Sequence, residues 1–142
     1  MPEIQGLYLE DLSVGQSAVF AKTITEADIL LYSAVSGDTN PMHLNQDFAA
    51  ATMFKGRVAH GMLSAGLISA VIGTKLPGPG AIYVSQTLAF KAPVRIGDTV
   101  TATVTVTGIA PEKRRVAMAC SCTVGDKTVI EGEAVVMVSR RT

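Results

Sequence analysis

Gly61-Met-Leu-Ser-Ala-Gly-Leu-Ile-Ser-Ala-Val-Ile-Gly-Thr74 is apolar or small on every side. A helix with that pattern has no polar face to offer water, so it is buried on most faces. Leu76-Pro77-Gly78-Pro79-Gly80 ends it with strong breakers. Nothing downstream is convincingly helical, and strands are predicted over residues 81–91, 98–109, 114–125 and 128–139. Residues Thr99 to Thr107 (Thr-Val-Thr-Ala-Thr-Val-Thr-Val-Thr) alternate as a half-buried strand does. Gly97-Asp98 and Gly125-Asp126 mark turns. One buried helix is therefore followed by strands in hairpin order, and short loops favour antiparallel pairing. The class this predicts is α+β, a curved antiparallel sheet wrapped around a central buried helix. The edges of such a sheet need cover, which a second subunit would supply.

Upstream, residues 8–22 form a lead-in with a turn at Gly15 and a short strand through Ala18-Val19-Phe20. Thr23-x-x-Glu26 and Thr25-x-x-Asp28 both resemble capping boxes, so a helix starts here in either of two registers. Its apolar positions include Ile29, Leu30, Ala34 and Val35, and Gly37 stops it. Asn40-Pro41 is a turn, because the proline disfavours helical geometry at Asn40. A second short helix is expected over Gln46–Met53, then an irregular stretch, Phe54–His60.

The chain has 142 residues, which predicts a single domain over 1–142. At 48% apolar and 17% charged it is too apolar for disorder, and the excess points to a subunit interface and a homo-oligomer. Lys plus Arg and Asp plus Glu each number 12, and only 5% of residues are aromatic, which argues against nucleic acid as a partner. The N-terminus lacks the basic start and apolar run of a signal peptide. No uncharged apolar run reaches the length of a membrane span, so a cytoplasmic location is expected. Cys120 and Cys122, two residues apart on a strand, share a face and are expected to be small buried thiols.

Few residues could carry chemistry. Asp38 and His43 stand five apart across the proline turn, and a carboxylate beside an imidazole can share proton transfer. Their plainer reading is a helix-end turn residue and a satisfied histidine. His60-Gly61 precedes the buried helix, whose N-terminal N–H groups and dipole suit a developing oxyanion. Gly61 allows a carbonyl to approach the backbone closely, although the same residues also make an ordinary helix start. Ser64 and Ser69 lack the Gly-x-Ser-x-Gly elbow of a nucleophile. The carboxylates make no metal pattern with only two histidines, and no phosphate loop or dinucleotide fingerprint occurs, so neither metal nor cofactor is expected.

Taken together, Tyr32-Ser-Ala-Val-Ser-Gly37-Asp38-Thr39-Asn40-Pro41-Met42-His43 followed by Ala49 resembles the signature of the MaoC-like R-specific enoyl-CoA hydratases. Val58-Ala-His60-Gly61-Met62-Leu63 is similar to that family's second block, and Leu76–Gly80 and Gln86–Asp98 are similar too. The likeness runs over roughly residues 8–138, and is greatest to the short bacterial hydratases that feed polyhydroxyalkanoate synthesis. Met42 departs from the usual Leu, Ile or Val, and is apolar and of similar size. The resemblance implies a dimeric hot-dog fold and hydration of trans-2-enoyl-CoA to (R)-3-hydroxyacyl-CoA without a cofactor. It makes Asp38 and His43 the catalytic pair, with Asn40 and Ser69 in support. It makes the Gly61 N–H the thioester oxyanion donor and places His60 and Met62 against the acyl-CoA substrate. Lys55, Arg57, Lys91 and Arg95 are candidates for the CoA phosphates. Competing readings on the same fold are an acyl-CoA thioesterase and a non-catalytic acyl-CoA-binding protein.

Overall fold

Thr25, not Thr23, starts the first helix. In the computed structural model, which describes residues 4–141, the Thr25 hydroxyl accepts from the Asp28 N–H while the Asp28 carboxylate accepts from the Thr25 N–H. Lys22 lies 2.7 Å from the same carboxylate and, with the Thr25 N–H, lowers its pKa. Helix α1 (Glu26–Ser36) then runs to Gly37, whose φ of 80° lies in the left-handed region open to glycine at little cost. Two short helices follow, α2 (Pro41–Leu44) and α3 (Gln46–Ala50). The turn expected at Asn40-Pro41 is thus the start of α2: proline is at home in a first helical turn, and Asn40 Oδ1 caps it by accepting from the Met42 N–H. Helix α4 occupies Gly61–Thr74 as the apolar pattern requires.

The strands are β1 (Ser17–Thr23), β2 (Ile82–Gln86), β3 (Ala89–Phe90), β4 (Thr99–Ala110), β5 (Arg115–Val124) and β6 (Lys127–Met137). They form one antiparallel sheet in the order β1-β4-β5-β6-β2, with β3 also pairing β6. The expected hairpin order holds only from β4 to β6. β2 and β3 pair with β6 rather than β4, and β1 takes the free edge of β4. The connection between β3 and β4 contains Pro93 and is too long for a tight hairpin, so it carries the chain from one side of the sheet to the other.

Alternation decides which face is inside. On β4, Val100, Ala102, Val104 and Val106 are buried; on β5, Val116, Met118, Cys120 and Cys122 are. These pack on α4, whose Leu67, Ile68, Val71 and Ile72 are each at most 8% exposed. Each such side chain contributes about 1.5–3 kcal/mol over its exposed state. This is the hot-dog arrangement of a sheet packed on one apolar helix. Both thiols are reduced and buried. Burial raises the pKa of Cys120 and pushes that of Cys122 up to about 11, so neither forms a thiolate readily near neutral pH.

The single run expected over 81–91 is broken at Thr87-Leu88. There the Thr87 carbonyl crosses β6 at Gly132, and a Cβ on Gly132 would lie 1.8 Å from that oxygen. A backbone atom cannot step aside as a side chain end does. Gly132→Ala is expected to destabilise the fold by at least about 1–3 kcal/mol. The measurement is the urea midpoint at unchanged m-value, and an unshifted midpoint would contradict the crossing.

Candidate active site

α2 owes its place to Arg57. Its Nε donates to the His43 carbonyl at 2.6 Å, and its guanidinium pairs with Glu26 of α1 at 2.9 Å. The arginine thereby ties the start of α1 to the turn that bears His43. Sequence patterns do not single out Arg57 for this, since the contact spans 14 residues and involves a main-chain acceptor.

His43 is 8% exposed. Its Nδ1 lies 2.7 Å from the Val58 carbonyl, which can only accept. Nδ1 therefore carries the hydrogen, and the lone pair is on Nε2. Against this ring stacks His60, with centroids 3.8 Å apart and planes 28° apart. His60 is 2% exposed, and its Nε2 lies 2.9 Å from the Asp38 carbonyl and 3.1 Å from Ser33 Oγ. Asp38 is exposed on the Gly37–Asn40 loop, and one carboxylate oxygen accepts from the Asn40 N–H at 3.3 Å. One ligating atom from each of Asp38, His43 and His60 falls within 4.8 Å of the others.

Asp38, His43, His60 and Gly61 line one cavity of about 490 Å³. Its apolar wall includes Met53, Phe54, Met62, Phe90, Val94 and Ile130. Gly61 opens α4, and its N–H finds no acceptor among the described residues. A Cβ there would lie 2.6 Å from the Phe90 ring, so only glycine leaves this wall as it stands.

The structure thus gathers Asp38, His43, His60, Gly61 and Met62, and treats the other candidates differently. Asn40 does not line the cavity; its carboxamide oxygen is spent on the α2 cap. Ser69, expected beside the site, is exposed and away from the cavity, and Ser64 lines it instead. Helical rotation separates the two by about 140°, and Ser64, one turn beyond Gly61, shares its face. Ser64 is fully buried and its hydroxyl has no partner among the described residues. His60, expected against the substrate, has its Nε2 committed to the protein. Of the four cations, Arg57 and Arg95 are engaged internally, Arg95 with the Phe54 and Arg57 carbonyls. Lys91 lines the cavity, and its ammonium has no hydrogen bond among the described residues.

The chain matches the model of the MaoC like domain over residues 12–130. It is 67% identical to an (R)-specific enoyl-CoA hydratase of Rhodospirillum rubrum, covering 94% of this chain and 93% of that protein. It is 52% identical to a 3-hydroxybutyryl-CoA dehydratase of Methylorubrum extorquens, covering 99% of this chain and 90% of the other. Among solved structures it superposes on the unliganded R-hydratase of Pseudomonas aeruginosa with a TM-score of 0.90 and 47% identity, over 97% of this chain and 89% of that one. A family model covering most of the chain, with relatives this similar along nearly their whole length, makes the protein a member of the MaoC-like domain family.

Proposed function

We propose that this protein is an R-specific enoyl-CoA hydratase, a hydro-lyase that reversibly converts trans-2-enoyl-CoA to (R)-3-hydroxyacyl-CoA. The observation that carries the reading is one cavity lined by a carboxylate, an imidazole with its lone pair on Nε2, and a helix N-terminus. Identity of 67% to a curated hydratase supports the same reading.

The reaction adds the oxygen of water to C3 and a proton to C2 of a conjugated thioester. Electron density moves from the alkene onto the thioester oxygen as the C–O bond forms. Nε2 of His43 and the Asp38 carboxylate hold the water, remove one of its protons and return a proton to C2. The pair ends as it began. The Gly61 N–H faces the oxygen that becomes enolate-like. No cofactor is required, because the thioester itself activates the alkene. The apolar wall takes the acyl chain, and Lys91 at the cavity takes a CoA phosphate. The whole chain acts as one catalytic domain.

The protein acts as a homodimer. β2 is an outer strand whose Ile82, Tyr83 and Val84 are exposed, as are Leu30, Leu31 and Val35 of α1. A second copy would cover this surface and the sheet edge. No described helix is long and apolar enough to cross a membrane, and the protein works in the cytoplasm.

The test is loss of the conjugated enoyl absorbance on adding crotonyl-CoA or octenoyl-CoA, with an (R)-3-hydroxyacyl product and no free thiol. Thiol release would indicate a thioesterase, and no change would indicate a binding protein. The same preparation is expected to sediment as a dimer.

A further inference from the structure

His60 takes no part in the proton transfers above, yet it touches both members of the pair and helix α1. Its ring lies flat on His43. Its Nε2 reaches the main-chain carbonyl of Asp38 and the hydroxyl of Ser33 in α1. Tyr32 of α1 also packs against it, with centroids 4.7 Å apart and planes tilted by 57°.

The hydrogen positions follow from the partners. The Asp38 carbonyl can only accept, so Nε2 of His60 carries a hydrogen and donates to it. Nδ1 then holds a lone pair, and it has no partner among the described residues. The two stacked rings are thus in opposite tautomers. His43 donates from Nδ1 and keeps Nε2 open, whereas His60 donates from Nε2.

We propose that His60 is a positioning residue for the hydration reaction, its Nε2–H holding the Asp38 main chain while its ring backs His43. Asp38 is on an exposed loop, whose other side-chain ties are the contacts of Ser36 Oγ with the Asp38 N–H and of Asp38 Oδ1 with the Asn40 N–H. The first reaches only the last residue of the adjoining α1, and the second stays within the loop. Among the described contacts, the His60 hydrogen bond is the one that ties Asp38 to a segment distant in sequence, through the N-cap of α4. The same residue that starts the helix bearing the Gly61 N–H thus sets the carboxylate and supports the imidazole. This deepens the hydratase reading and rests on it.

Three substitutions separate the contacts. Glutamine places its Nε2 where the histidine Nε2 is, keeping the donor and losing the ring. Phenylalanine keeps the ring and loses the donor. Alanine loses both. His60→Ala is expected to lower kcat by about 10²-fold, the effect of an ångström-scale displacement of reacting groups, with little change in KM. His60→Gln is expected to recover most of that loss and His60→Phe little of it. Nitrogen-resolved NMR of the His43 ring reads the same inference without turnover. The Nδ1–H tautomer should persist in the parent and in His60→Gln and His60→Phe, whose side chains both fill the space against His43, and should give way to averaged tautomers in His60→Ala, which leaves that space open. Turnover of His60→Ala within about threefold of the parent, or His60→Phe matching or exceeding His60→Gln, overturns the proposal. So does an unchanged His43 spectrum in His60→Ala. Should the alanine variant not fold, the Gln and Phe pair decides. A parent that fails to hydrate any enoyl-CoA sinks the hydratase reading instead, and the NMR comparison still tests the placement.

Discussion

Asp38→Asn lowers kcat by about 10²–10⁴-fold, and His43→Asn does the same, the range expected when one member of an acid–base pair is removed. Both substitutions spare the local structure. In Asp38→Asn the carboxamide keeps a carbonyl oxygen for the Asn40 N–H that Oδ1 accepts now. In His43→Asn the new side chain places an amide N–H near the present Nδ1, so the buried Val58 carbonyl keeps a donor. His43→Ala is the rougher test: it strands that carbonyl and opens space beneath His60, at a cost of about 1–3 kcal/mol in stability. What His43→Asn removes is the Nε2 lone pair, and what Asp38→Asn removes is the negative charge. Because the two groups act on one water, the double variant should be little slower than either single one. The measurement is kcat for crotonyl-CoA hydration, with circular dichroism confirming the fold. Near-normal turnover in either single variant would remove the pair from the mechanism.

Legibility in the sequence follows the range of the interactions. α4 is readable end to end, since an all-apolar run bounded by His60-Gly61 and Leu76-Pro77 leaves little freedom. β4 is readable because its threonines and valines alternate in register with its faces. The pairing of β2 with β6 is not, because a crossover is decided by what packs on α4 rather than by any local pattern. α2 reads as a turn because proline stops a helix from behind but starts one from within, and four residues give no period. At the candidate site, spacing and the family likeness bring out Asp38, His43 and Gly61. They do not bring out Arg57 as the tie to α2, because its role is a guanidinium on a distant carbonyl. Ser64 reads, like Ser69, as a small packing residue, although counting turns from Gly61 separates the two.

Gly61→Pro is expected to lower kcat by about 10²–10³-fold relative to Gly61→Ala, the loss expected for one oxyanion donor. Proline suits this position in the backbone. Gly61 is the first residue of α4, where a proline ring is tolerated. His60 before it has φ −59° and ψ 133°, the extended geometry that a following proline prefers. The N–H that proline deletes has no acceptor among the described residues, so no hydrogen bond of the fold is lost with it. A side chain at this position does meet Phe90, 2.6 Å from a Cβ, and the alanine variant carries that same Cβ. Phe90 is 53% exposed and its ring can swing aside. Gly61→Ala therefore measures the cost of the Cβ with the donor in place, and the ratio of the two variants reads what proline changes at the nitrogen, where Cδ replaces the donated hydrogen. The loss should fall on kcat more than on KM, because the thioester oxygen draws most on that hydrogen bond as it gains charge. Equal kcat for the proline and alanine variants would mean that the α4 N-terminus does not meet the oxyanion, and the thioester would have to lie elsewhere in the cavity.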